Sequence, residues 1–303
     1  MSSFSDSLNL SVRQPALWVE VAPPRGVVTD SLLKRLSALA GHADAINLTD
    51  NSLGKVKMSG LAFGSLIKSR LKIPVVLNLS CRDRNRFALK SELLGAAALG
   101  IDAVVALTGD KIAPDDPSGV VSIRDLDAFG LLKLIGDLNR GDTGEGKRLL
   151  KTLPGIFAGA VANPNRKNIA REFEMLARKA QSGARFVITQ PVFEAETARR
   201  FLVEANRLGL KTVLGILPVK REAMAQYMKD KVKDLSGAAA HLDRYEGMAE
   251  EVVRAASIRD NLILMRSLAG EVAGFNIMSG GGPSLAIELA LEFSKWRKHP
   301  ETT

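Results

Sequence analysis

The sequence predicts a single (β/α)8 barrel, with a doubly wound α/β sheet as the alternative. Three observations lead there. Eight short apolar runs punctuate the chain, and helix-patterned stretches separate them. The pattern fills about 280 residues, within the range of one such barrel. No GxGxxG follows the first run, which removes the dinucleotide fingerprint of the doubly wound fold.

The runs are Leu17–Ala22, Ala45–Leu48, Pro74–Leu79, Ala103–Leu107, Gly155–Val161, Phe186–Thr189, Thr212–Leu217 and Gly274–Met278. They are rich in Val, Ile, Leu and Phe, as strands covered on both faces must be. Between the first two, Ser31–Ala40 carries leucines at 32, 33, 36 and 39, with Thr29 or Asp30 as the expected cap. Asn165 is the expected cap of a helix through Lys179, with Gly183 as its stop signal. Gly247–Leu268 reads as one long helix or a pair. Two polar stretches, Lys111–Ile123 and Asn139–Leu153, read as long loops. The first follows a strand and so belongs to the catalytic face, where it could act as a lid. The second precedes a strand and belongs to the opposite face. Residues 16–298 form the expected barrel, 1–15 a disordered lead-in and 299–303 a tail.

Composition narrows the function. The chain has 303 residues, 46% hydrophobic and 25% charged, an ordinary globular balance. No apolar run reaches the length of a membrane span, and the N-terminal residues lack the pattern of a secretory signal. The one cysteine, Cys81, permits no internal disulfide, which fits a cytoplasmic protein. It reads as a small buried filler. The net charge of +9 is scattered, and 5% aromatic residues are too few for base-stacking platforms. An anionic small ligand fits this charge better than nucleic acid. His42, His241 and His299 show no metal-ligand spacing, so no metal site is expected.

Barrel chemistry is built where strands end. Those positions carry Glu20, Thr49 with Asp50, Asn78 with Ser80, Thr108 with Asp110, Asn163, Thr189 with Gln190, and Ser279 before a glycine run. Glu20 lies between Val19 and Val21, where an anion is costly to bury. It is either an outward edge residue or a group pointing into the barrel mouth. Asp110 follows Gly109 in a sharp turn, and reads equally as a turn former. Gln190 precedes Pro191, expected to stop the strand; its amide suits the edge of a heterocycle or a turn. The arginines of CRDRNR read as a solvated helix entry. The glycines after strand eight read as a phosphate cradle or a flexible turn.

Taken together, VEVAPPR, INLTDNSLGKVKMSG, NLSCRDRNRFALKSELLGAAALGI, ALTGD, ANPN, KAQSGARFVITQPVF and GILPV resemble, in order, the motifs of methylenetetrahydrofolate reductases. These are flavin-dependent (β/α)8 enzymes of one-carbon metabolism that feed methionine biosynthesis. The RDRNR variant is similar to the branch found in acetogens and many other bacteria. The resemblance implies an oxidoreductase interconverting 5,10-methylene- and 5-methyltetrahydrofolate through FAD, with NAD(P)H or another electron donor. It implies Glu20 as the general acid that opens the folate five-membered ring. Asp110 would lie beside the flavin pyrimidine edge and the pterin, and Gln190 would hold the substrate. Thr49, Asn78, Thr108, Gly109, Asn163 and Lys179 would line the FAD, with Arg166 and Lys167 near its diphosphate. The sequence departs from the enteric type at several points. Asn78 replaces a frequent histidine, Thr108 an arginine, Met224 a substrate amide, and the glycines after strand eight a folate-contacting arginine. Two other functions fit the same barrel: a pterin-dependent methyltransferase, and a non-catalytic pterin-binding subunit. A homo-oligomer or an accessory electron-transfer subunit is the expected partner.

Overall fold

The computed structural model describes Phe4, Leu8 and residues 14–110, 119–123, 125–144, 146, 155–231, 239–280 and 282–299. Eight parallel strands close into a barrel in sequence order. They are β1 (Ala16–Val21), β2 (Ala45–Leu48), β3 (Val75–Ser80), β4 (Ala103–Leu107), β5 (Phe157–Ala162), β6 (Phe186–Pro191), β7 (Lys211–Ile216) and β8 (Gly274–Ile277). The helices are α1 (Asp30–Leu36), α2 (Gly60–Leu71), α3 (Arg86–Ala98), α4 (Ala128–Asn139), α5 (Ile169–Gln181), α6 (Ala195–Arg207), α7 (Glu222–Lys231), α8 (Ala239–Asp243), α9 (Glu250–Leu268) and α10 (Ser284–Lys298). All eight expected strands are present, with ends displaced by a residue or two.

Alternation along each strand sorts its side chains. Leu17, Val19, Ile46, Leu48 and Val75 face outward and pack with Phe63, Ile67 and Phe293 of the surrounding helices. The alternate positions fill the interior, with Trp18, Ala45, Val76, Val105, Phe186, Ile188 and Val213 in one buried cluster. Aromatic rings close its lower end. Trp18 meets Phe186 edge-on at 5.6 Å, and Phe157 stacks on Phe186 at 5.1 Å. A Cβ on Gly159 would lie 2.3 Å from the Phe186 ring, so that position accepts only glycine. Of the lead-in, Phe4 stacks on Trp18 at 5.6 Å and Leu8 is buried in the same cluster. The rest of residues 1–13 lies outside the described residues.

Three local expectations are corrected. β6 runs past the expected end at Thr189 and stops at Pro191, after a register shift beyond Ile188. The shift brings Thr189 O within 2.4 Å of where a Gly215 Cβ would sit, so β7 needs glycine there. Asn165 does not cap α5; Asn168 does, its side chain accepting from the Arg171 N–H. Asn165 is engaged elsewhere, donating from Nδ2 to Pro191 O at 2.7 Å. The α1 helix starts after Thr29, whose side chain makes no cap bond, and ends in a 3-10 turn over Ser37–Leu39. Residues 111–118 of the expected lid, and 145 and 147–154 of the second loop, lie outside the described residues.

Candidate active site

The C-terminal ends of the strands gather two polar groups of different character. The first is neutral and lies inside the barrel wall. Asn78 donates from Nδ2 to Asn47 Oδ1 at 2.8 Å and to the Leu48 carbonyl at 2.7 Å. Asn47 donates in turn to Asn276 Oδ1 at 3.2 Å. Asn276 donates to Glu20 Oε2 over a long 3.5 Å. All three asparagines are buried, with 1% exposure at Asn47, 7% at Asn78 and none at Asn276. Register explains the meeting, since Glu20 pairs with Asn47 while Trp18 pairs with Asn276. Glu20 therefore points into the mouth, which settles where the strand carboxylate faces. Burial pushes its carboxyl up to about 7, and the Asn276 hydrogen bond opposes that rise.

The second group is ionic and forms a rim over β2, β3 and β4. Asp50 is nearly buried and receives both Arg84 Nη1 at 2.6 Å and Nη2 at 3.2 Å, together with the Ser80 N–H at 2.9 Å. Arg82, 2% exposed, grips Asp83 with Nε and Nη2, both at 2.6 Å. These hydrogen bonds hold the Asp83 carboxyl below its ordinary value. The expected solvated helix entry is thus corrected: Arg82 is buried and Arg84 nearly so, and Asn85 provides the cap of α3. Asp110 is exposed and accepts the Leu53 N–H at 2.9 Å. Leu53 and Asn51 both hold left-handed backbone, at φ 58° and 42°. Gly109 has φ +90°, and a Cβ there would lie 2.2 Å from Ser80 Oγ.

The remaining candidates are placed as follows. Thr49 Oγ1 is buried and has no partner among the described residues. Thr108 is exposed, and its Oγ1 accepts the Ala128 N–H at the start of α4, at 3.2 Å. Gln190 sits in the β6 irregularity, partly exposed. Asn163 is buried after β5, where its N–H reaches Glu172 Oε1 at 2.9 Å and its Oδ1 accepts the Asn165 N–H. Lys179 lies half-buried between α5 and β5, donating to Val161 O at 2.7 Å, and burial lowers its pKa. Gly280 backs onto Met224, whose Cε would be 2.4 Å from an added Cβ. Cys81 is fully buried, and burial raises its thiol to about 12. Among the described residues no cluster of His, Cys, Asp and Glu is placed to hold a metal. None of the described helices is long and apolar enough to cross a membrane. Asn47 and Asn276 escaped the sequence reading. Their signal was the one Glu20 gave: a polar residue inside a short apolar strand.

A closed barrel whose mouth holds a partly buried carboxyl, oriented amides and a hydroxyl unpaired among the described residues is the framework of a barrel enzyme acting on a small polar molecule. The family is fixed by the sequence as a whole. The profile of "Methylenetetrahydrofolate reductase" matches residues 7–272, and the chain belongs to this family of oxidoreductases. A Caenorhabditis elegans relative, "Probable methylenetetrahydrofolate reductase (NADPH)", is 25% identical over 68% of this chain, which spans 31% of that protein. The "5,10-methylenetetrahydrofolate reductase" of Salmonella typhimurium is 27% identical over 74% of this chain and 73% of its own. A solved Clostridium thermocellum structure, described as binding two copies of 5-methyl-5,6,7,8-tetrahydrofolic acid, shares the fold. Its TM-score is 0.65 at 18% identity, over 98% of each chain.

Proposed function

We propose that this chain is a cytoplasmic, FAD-dependent reductase that interconverts 5,10-methylenetetrahydrofolate and 5-methyltetrahydrofolate, with NAD(P)H as electron donor. The observation that carries the reading is Glu20: a carboxyl in the mouth, raised to about 7 by burial, in a chain of the methylenetetrahydrofolate reductase family. A group titrating there is suited to give and recover a proton at neutral pH. The Salmonella relative's name and the folate bound by the Clostridium protein point to the same substrate class.

The residues present fit a bound flavin. Thr49 offers a buried hydroxyl that lacks a partner among the described residues. Asn78 has committed both amide hydrogens to Asn47 and Leu48, so it can only accept from a ligand, through Oδ1. When bound, the flavin supplies hydride transfer; the barrel supplies orientation and proton control. Glu20 delivers its proton to the ring nitrogen that leaves as the folate five-membered ring opens. Gln190, near the end of β6, would hold the pterin edge, and Asp110, after β4, would meet the pterin or flavin. Thr108, Gly109, Asn163 and Lys179 complete the proposed cofactor wall.

Titration with FAD, followed by anaerobic bleaching with NADH or NADPH and recolouring by 5,10-methylenetetrahydrofolate, tests the reading. Recolouring is the expected result. Folate binding without any flavin uptake at micromolar concentrations would favour a methyltransferase or a non-catalytic pterin-binding subunit instead.

A further inference from the structure

The three asparagines form a directional chain. An asparagine amide can be turned over with little change of shape, so its polarity needs a chemical anchor. Here the anchor is the Leu48 carbonyl, which can only accept. It requires nitrogen from Asn78, at 2.7 Å. The same nitrogen also reaches Asn47 at 2.8 Å, which requires oxygen on that side of Asn47. Asn47 must then present nitrogen to Asn276, at 3.2 Å. Asn276 is left with its oxygen towards Asn47 and its nitrogen towards Glu20. Four strands, β3, β2, β8 and β1, thus fix the orientation of one N–H.

We propose that Asn276 is a positioning residue whose amide, oriented through Asn47 by Asn78, keeps a hydrogen-bond donor on the Glu20 carboxylate so that Glu20 can release its proton and take it back. A donor stabilises the anion, while a flipped amide would present oxygen and favour the protonated acid. Burial alone would favour the protonated form further, so that Glu20 would donate but be regenerated less readily as an anion. No charged group acts on Glu20 from β2, β8 or any other described element; Asn276 is the polar partner that opposes burial. The acid is therefore tuned by a dipole, which changes little with ionic strength.

The inference deepens the proposed reductase role, but its test needs no turnover. The wild-type protein with 13C-labelled glutamate carboxyls is titrated by NMR, and Glu20 is assigned by its loss in Glu20→Gln. The Asn276 side-chain N–H signals are followed in the same titration. They should shift in step with Glu20. In Asn276→Leu the Glu20 midpoint should rise by about one pH unit, the scale of a hydrogen bond to a charged group. In Asn47→Leu, where Asn276 is free to turn, it should rise by less. The pH profile of folate-dependent flavin reoxidation should move with the same midpoint. Asn276 signals that ignore the Glu20 titration in the wild type would overturn the proposal, even if the variants fail to fold. So would folded variants with an unmoved midpoint, or a shift in Asn276→Leu with none in Asn47→Leu. A coupled titration in a protein that never reduces folate would leave the relay standing and remove the reductase reading.

Discussion

The two polar groups at the barrel mouth solve the same problem in different ways. At Glu20, one amide donor meets a carboxyl, and no ion pairs with it among the described residues. Around Asp50, a guanidinium closes on both carboxylate oxygens. An ion pair fixes a charge, because neutralising either partner forfeits the pair and leaves the other charge uncompensated. A single amide donor leaves the charge free to come and go near neutral pH. The first arrangement suits chemistry and the second suits architecture, although the side chains are the same kind of acid. Asp110 stands apart from both, tying the Leu53 turn to the end of β4.

The sharpest break of this contrast is Asp50→Ala. It leaves Arg84 nearly buried without its partner and the Ser80 N–H without its acceptor. The expected loss is about 3–5 kcal/mol in urea unfolding. A loss below about 1 kcal/mol would make the rim a solvated pair of no structural consequence.

Glu20→Gln tests the other side. The folate half-reaction should fall by about a hundredfold or more, while flavin reduction by the nucleotide stays near normal. Stopped-flow measurement separates the two, and equal slowing of both would reduce Glu20 to a shaper of the pocket. In the wild type the folate half-reaction should weaken as pH rises through about 7, because the acid must be protonated to act. Stability carries the same sign. Folded Glu20 titrates near 7 and the unfolded residue near 4.5. Between those values the native protein holds a proton that the unfolded chain has lost. This stabilisation is full below about 4.5 and declines as pH rises to about 7, by about 3 kcal/mol in total. Glu20→Gln should abolish that slope.

The barrel was legible because strands covered on both faces must be predominantly apolar, and all eight were, with a few polar residues among them. The strand-end rule likewise brought Glu20, Thr49, Asn78, Asp110 and Gln190 to one face. Partnerships were not legible. Nothing in CRDRNR says that Arg84 turns back onto Asp50, since that depends on the β2–β3 register. Asn47 and Asn276 stand 229 residues apart and meet only because the barrel closes. The cap of α5 moved from Asn165 to Asn168 for a similar reason: Asn165 was claimed by Pro191, a residue of the neighbouring strand.

The smallest effect separates ligand from scaffold at Thr108. Its hydroxyl accepts a helix N–H, so Thr108→Val should cost about 1 kcal/mol in thermal or urea unfolding. FAD affinity, measured by fluorescence quenching, should fall as well if the hydroxyl also serves the cofactor. Unchanged affinity with lowered stability would place Thr108 with the scaffold.

The rings stacked at the lower end of the barrel have a consequence for traffic. With Trp18, Phe157 and Phe186 filling the floor, the described barrel is a cup rather than a tunnel. Whatever enters must leave by the same rim. Two large reactants that each need the centre of the cup must then take turns, and the first must depart before the second can arrive. Alternation of donor and acceptor would be a property of the vessel before it is a property of the chemistry.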